Sequence, residues 1–277
     1  TIVSAASDAE NEDRGGAAGA YAWVIDGATD VIEAPLTPGV TDASWVAATL
    51  DRLLGEVARA AQPPFGSLAG APGWLSERLA EEFGRVVRRV PEGRHEHPSA
   101  SGVIVRIEGP RLHYVGVGDC TLLAETRDGF RRLVTHERDA GDPWVAQAVA
   151  AFHAGRQETT PQEARAHLWP RIRAGRAMMN QPDGYGVLSV TPTPARFVTA
   201  GSIEPAAGGH VLLASDGLMR LADVYRRYTA EELLAASRRD LDAVVAELRA
   251  IERDDAGCRR FPRAKASDDA TGVLLRF

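Results

Sequence analysis

Residues 21–30 read Tyr21-Ala22-Trp23-Val24-Ile25-Asp26-Gly27-Ala28-Thr29-Asp30. An apolar run with the texture of a buried strand stops abruptly at an acidic residue and a glycine. A strand delivers its terminal side chain to a fixed place, and Gly27 lets the backbone turn there. Alone, Asp-Gly after a strand is a turn signal. The reading changes only if other parts of the chain supply partners for Asp26.

The chain has 277 residues, of which 44% are hydrophobic and 25% charged, which is ordinary for a folded protein with a full core. No apolar run approaches the roughly 18 residues of a membrane span, and no charged-then-apolar leader opens the chain. The expected setting is therefore the cytoplasm, without a membrane partner. A net charge of -6 argues against a nucleic-acid binder, which would need a basic stripe. Lys265 is the only lysine, and the other basic residues are arginine, a bias that fits base composition better than a binding surface. The two cysteines, Cys120 and Cys258, make neither a disulfide framework nor a metal cluster.

From residue 21 the chain can be read in both directions. Upstream, residues 1–6 read as a short strand, and residues 8–16 as an acidic loop ending in glycines. Downstream, residues 44–61 and 72–90 carry apolar residues at helical spacing and form a helical pair. Residues 103–107 and 112–117 form a hairpin about the turn at Gly109-Pro110, followed by strands at 121–125 and 130–134 around Asp128-Gly129. Two polar helices follow at 144–154 and 161–179, then strands at 186–190, 195–200 and 210–214. Thr229 and Glu232 form a capping box opening a helix to about residue 253. The last strand covers 272–277. An antiparallel meander with helices held apart from it predicts an α+β fold in one domain, residues 1–277.

Asp216-Gly217 ends a late strand and repeats the opening pattern. Asp13 follows the first strand, and Asp268 precedes the last. Carboxylates converging at strand ends repel one another, and hard divalent cations offset that repulsion. A set of oxygen donors without His or Cys points to magnesium or manganese. Two such ions roughly 3.5–4 Å apart suit phosphoryl transfer to water. No serine has a base motif beside it, the glycines at 15, 16 and 19 do not make a phosphate-cradling loop, and the histidines form no ligand-spaced set.

In order along the chain, Asn11-Glu12-Asp13, Val24-Ile25-Asp26-Gly27, Gly118-Asp119, Leu212-Leu213-Ala214-Ser215-Asp216-Gly217 and Asp268-Asp269-Ala270-Thr271 resemble the motifs of the type 2C metal-dependent protein phosphatases, in the manner of their bacterial members. The resemblance implies a four-layer αββα sandwich, two antiparallel β-sheets flanked by helices. It implies that Asp26 bridges two ions of Mn2+ or Mg2+. The Gly27 carbonyl and Asp13 would serve one ion, Asp216 and Asp268 the other, with Glu12, Asp119 and Asp269 as further ligands or supports. It implies no side-chain nucleophile: a water bridging the metals attacks phosphoserine or phosphothreonine in a protein. A monomer is expected, and residues 136–182 are the place for a substrate-facing flap.

The sequence also departs from that pattern. Where the family carries its phosphate-gripping arginine, this chain has Asp8. An acid that would help a third ion is replaced by Arg220, which argues against a third ion and makes Arg220 a candidate for the phosphate contact. Arg14 is a second candidate, on the opposite side of the motif. These departures keep two alternatives open: a phosphatase of a small phosphorylated molecule, and a pseudophosphatase that binds without turnover.

Overall fold

The computed structural model describes residues 1–134, 143–156 and 159–277. In chain order the strands are β1 (Ile2–Ala5), β2 (Asp13–Ala18), β3 (Tyr21–Gly27), β4 (Ser99–Glu108), β5 (Arg111–Val117), β6 (Thr121–Thr126), β7 (Gly129–Val134), β8 (Leu188–Ser189), β9 (Thr199–Ile203), β10 (His210–Ala214) and β11 (Ala270–Arg276). The helices are α1 (Asp42–Arg59), α2 (Ala71–Val86), α3 (Pro143–His153), α4 (Pro161–Ala177), α5 (Asp216–Asp223), α6 (Ala230–Arg239) and α7 (Leu241–Asp254).

The strands build two antiparallel sheets. One runs β1-β11-β10-β6-β7, and the other β2-β3-β4-β5-β9 with β8 paired to β4. The two-residue period of a strand sorts β3 into two faces. Tyr21, Trp23 and Ile25 pack outward among Val46, Leu50 and Leu54 of α1 and Leu75 and Leu79 of α2. Ala22 and Val24 point the other way, into a layer shared with Val103, Leu122, Val211, Leu213 and Val273 from both sheets. On the far side Leu212 and Ala214 of β10 pack against Leu218, Leu233, Val244 and Leu248 of α5, α6 and α7. Three apolar layers between four structural layers make the expected αββα sandwich. Asp26 follows Val24 on the inward face, so its side chain lies at the rim of the space between the sheets.

Several local expectations are corrected. Residues 13–18 are strand β2, not the tail of a loop. Gly15 and Gly16 read as turn residues, yet a Cβ on Gly16 would run into the indole of Trp23, so the ring lies against bare backbone. Residues 195–197 form a 3-10 turn, and the strand there is β9, starting at Thr199. The expected strand at 186–190 shrinks to Leu188–Ser189. The single helix expected over residues 229–253 is two helices. Asp240 ends α6 by donating its N–H to the Ala236 carbonyl, and starts α7 by accepting the Ala243 N–H at 2.9 Å. The capping box of Thr229 and Glu232 is present as expected. The flap expected at 136–182 lies partly at residues 136–142 and 157–158, outside the described residues. Its described part is the helical pair α3 and α4, packed on Val149, Ala164 and Leu168.

Candidate metal centre

The β2–β3 register places Asp13 directly opposite Asp26. Like charges facing each other across an antiparallel pair repel and weaken the sheet unless a cation neutralises them. From the other sheet, β10 ends at Ala214, and α5 begins with Asp216, whose N–H points at Asp26 Oδ2, 3.4 Å away. Ser215, fully buried between these elements, accepts the Thr271 N–H at 2.9 Å and donates its own N–H to the Thr271 carbonyl at 3.0 Å. That pairing locks the end of β10 to β11. It also places the Ser215 hydroxyl beside the Asp13 carboxyl.

Both Asp-Gly pairs need their glycine for close approach rather than for a turn. A Cβ on Gly27 would sit 2.5 Å from the Glu12 carbonyl oxygen and 2.6 Å from that of Ala43. A Cβ on Gly217 would overlap the Asp269 carbonyl oxygen. Neither glycine has a positive φ. The backbone thus crosses itself tightly beside each aspartate and holds the two carboxylates in position.

The electrostatics follow from this crowding. Burial, then the charges of Asp216, Asp269 and Asp268, push the Asp13 carboxyl up to about 8, against the pull of the Ser215 hydroxyl. Burial, then Asp13, Asp216 and Asp119, hold Asp26 well above the carboxylate range. Asp216 keeps a solvent-exposed edge, yet desolvation by the protein packed around its carboxyl, then Asp268 and Asp119, raise it to about 6, although Arg220 and Lys265 pull the other way. Asp13 Oδ2 is buried and has no hydrogen-bond partner among the described residues. A buried carboxylate oxygen left without a donor, among carboxylates that repel it, fits a site for a hard cation.

Asp268 behaves oppositely. Lys265 Nζ donates to its Oδ1 at 2.7 Å, and Arg220 Nη2 to its Oδ2 at 2.5 Å. Burial would raise this carboxyl, but the Lys265 and Arg220 charges outweigh it and hold Asp268 near 2. Lys265 is itself anchored: its Nζ donates to Thr29 Oγ1 at 2.6 Å, and Thr29 donates on to Glu12 Oε2 at 2.6 Å. Arg220 also lies 3.7 Å from Glu252, which Arg249 holds at 2.6 Å. Among the described residues, no three His, Cys, Asp or Glu side chains form a ready metal cage. Asp13 and Asp26, facing each other with Asp216 beside them, have the oxygen chemistry a hard cation needs, although the three carboxylates do not stand in a preformed cage. The residues around Asp268 do not fit such a cation.

The remaining candidates fall into place around this core. Asp269 accepts the Ser7 and Glu12 N–H groups, each at 2.6 Å, so both its oxygens brace the loop before β2. Asp119 is exposed, with its N–H 3.3 Å from Ser101 Oγ. Arg14 Nη1 donates to the Asn11 and Asp13 carbonyls at 2.6 and 2.7 Å, which turns it toward its own loop. Arg220, the other candidate for the phosphate contact, is engaged by Asp268 and Glu252. Sequence reading missed Lys265 and Thr29. The only available signal was that a chain using arginine everywhere else keeps one lysine, three residues before Asp268.

Neither a protein-family model nor a curated relative matches the sequence. Solved structures do match the fold over its whole length. The serine/threonine phosphatase PstP/Ppp of Mycobacterium tuberculosis aligns with a TM-score of 0.55 and 19% identity, over 99% of this chain and 96% of its own. PppA, a regulatory component of T6SS in Pseudomonas aeruginosa, aligns with a TM-score of 0.56 and 18% identity, over 100% and 96% of the two chains. The PstP catalytic domain in complex with two manganese ions aligns at 0.53 and 17% identity, over 99% and 95%. At these identities the likeness establishes architecture, and the architecture of this chain is that of the bacterial serine/threonine phosphatases.

Proposed function

We propose that residues 1–277 form one phosphatase domain, dependent on Mn2+ or Mg2+, that hydrolyses phosphoserine and phosphothreonine monoesters in proteins. The observation that carries this reading is the convergence of Asp13, Asp26 and Asp216 at the rim between the sheets, with Asp13 Oδ2 buried and unpartnered among the described residues. The phosphatase fold supports it, and so does the manganese-bound PstP domain, which suggests a two-cation centre. Divalent cations held there would neutralise phosphate oxygens and acidify a water molecule.

The chain's own residues would orient that chemistry. Asp26, on the inward face of β3, stands between Asp13 of its own sheet and Asp216 of the other, with the Gly27 carbonyl next to it. The side chains near the centre are poor nucleophiles. Ser215 is buried and accepts a backbone N–H, and burial pushes the buried Cys120 thiol well up. Both observations support attack by water rather than by a side chain.

A second reading, binding of a phosphorylated partner without turnover, draws on Asp8 in the arginine position and on the engagement of Arg14 and Arg220 elsewhere. Hydrolysis of p-nitrophenyl phosphate in manganese separates the two. A chelator-sensitive rate is expected, lowered at least about 100-fold in Asp26→Asn and Asp216→Asn, since loss of a direct ligand should exceed the effect of losing its supporting partner. A rate equal in wild type, chelator and both variants would leave only the binding reading. With turnover in hand, a preference for phosphopeptides over small phosphate esters distinguishes a protein substrate from a small one.

A further inference from the structure

We propose that the Lys265 ammonium occupies one of the two cation positions of the carboxylate cluster, so that the chain takes up a single divalent ion, at Asp13, Asp26 and Asp216. The proposal rests on the metal-dependent reading above and concerns how the second position is filled.

Asp268 is the carboxylate that the resemblance assigns, with Asp216, to a metal. Here each of its oxygens already has a cationic donor, Lys265 Nζ at 2.7 Å and Arg220 Nη2 at 2.5 Å. Neither donor depends on Asp268 alone. Thr29 Oγ1 receives Lys265 from the opposite side at 2.6 Å and passes the link to Glu12, beside Asp13. Glu252 lies behind Arg220, and Arg249 ties Glu252 to the Asp268 and Ala5 carbonyls, donating to each at 2.7 Å. The two cations are thus held by residues outside the cluster. A divalent ion at Asp268 would have to displace both, or sit against two positive charges at close range.

Residue chemistry favours the lysine for the substitution. Its ammonium is a compact point charge with three donors, closer to a metal ion in size and charge density than the flat guanidinium used at the chain's other basic positions. The carboxylates of Asp13, Asp26 and Asp216, to which no basic side chain donates among the described residues, are left for the metal.

The test counts ions instead of turnover. The chelator-treated full chain is titrated with manganese and examined by native mass spectrometry, with circular dichroism as the folding control. Wild type is expected to hold one ion, and the double variant Lys265→Met, Arg220→Ala to hold two. Two ions on wild type overturn the proposal and leave the metal-dependent reading intact. One ion on both proteins overturns the role of Lys265. No ion on wild type overturns the metal-dependent reading itself. Should the double variant fail to fold, Lys265→Met alone is counted against wild type, with a gain of one ion expected and no gain counting against the proposal.

Discussion

At the scale of single residues, two glycines act through the space they leave empty. Gly217 lies under the Asp269 carbonyl, and no side chain fits without moving either the start of α5 or the backbone beside Asp268. Gly217→Ala should lower stability by about 1–3 kcal/mol, as overpacking does. Because the displacement falls on Asp216, the proposed phosphatase activity should fall on the order of 100-fold. A urea midpoint and a p-nitrophenyl phosphate assay on the same preparation check both. Gly84, on the exposed side of α2 with open space around its Cβ position, provides the contrast. Gly84→Ala should raise stability by about 0.5–1 kcal/mol and leave the rate unchanged. The same residue type, judged by its surroundings, thus carries opposite predictions. Those surroundings could not be read from the letters Asp-Gly, which by themselves signal a turn.

At the scale of elements, the segment that delivers Lys265 and Asp268 depends on one carboxylate. Asp255, at the end of α7, accepts the N–H groups of Arg259, Arg260 and Phe261, each at 3.0 Å, and Arg263 Nη1 at 2.5 Å. Burial would raise the Asp255 carboxyl, but these donors lower it below 3.8. A depressed carboxylate contributes stability above its unfolded value and loses it as pH falls through the folded one. The clamp should therefore be intact at neutral pH and weaken only below about pH 3.8. Asp255→Asn leaves the buried Arg263 without its counter-charge and should cost about 3–5 kcal/mol at pH 7. The deficit, read from urea midpoints, should narrow as wild type is acidified below pH 3.8. A constant deficit across that range would show that the charge of Asp255 is not what holds the segment. Asp240 shows the same economy of caps, since one residue, through its backbone N–H and its side chain, separates two helices that periodicity alone had merged.

At the scale of the whole molecule, the site is a property of the layer between the sheets. Leu213 is fully buried there with Val24, Val103, Leu122 and Val273 from both sheets. Leu213→Ala should cost about 2–5 kcal/mol. It should shift the urea midpoint without changing the slope, since the unfolded chain exposes the same surface. The layer also explains the position of the acidic residues. Asp26 continues the inward series Ala22, Val24 on β3, and Asp216 follows Ser215 off the end of β10, so packing the two apolar faces brings their charged ends together. Helix α4 joins this rim from outside: Arg176 donates to the Thr29 carbonyl at 2.8 Å and lies 3.2 Å from Ser99 Oγ.

Taken alone, the sequence determined the helical pair, the hairpins and the strand ends that carry Asp26 and Asp216, because these depend on periodicity and neighbours a few residues away. It misplaced β2, since Gly15 and Gly16 resemble a turn until the indole of Trp23 is laid across them. The fate of Asp268 was decided by tertiary structure only. Its partners Arg220 and Lys265 come from α5 and from the segment after α7, and the Thr29 that anchors Lys265 lies 236 residues away along the chain. Short-range pattern identifies an acidic residue as a possible ligand, but which cation reaches it first depends on distances that only the folded chain sets.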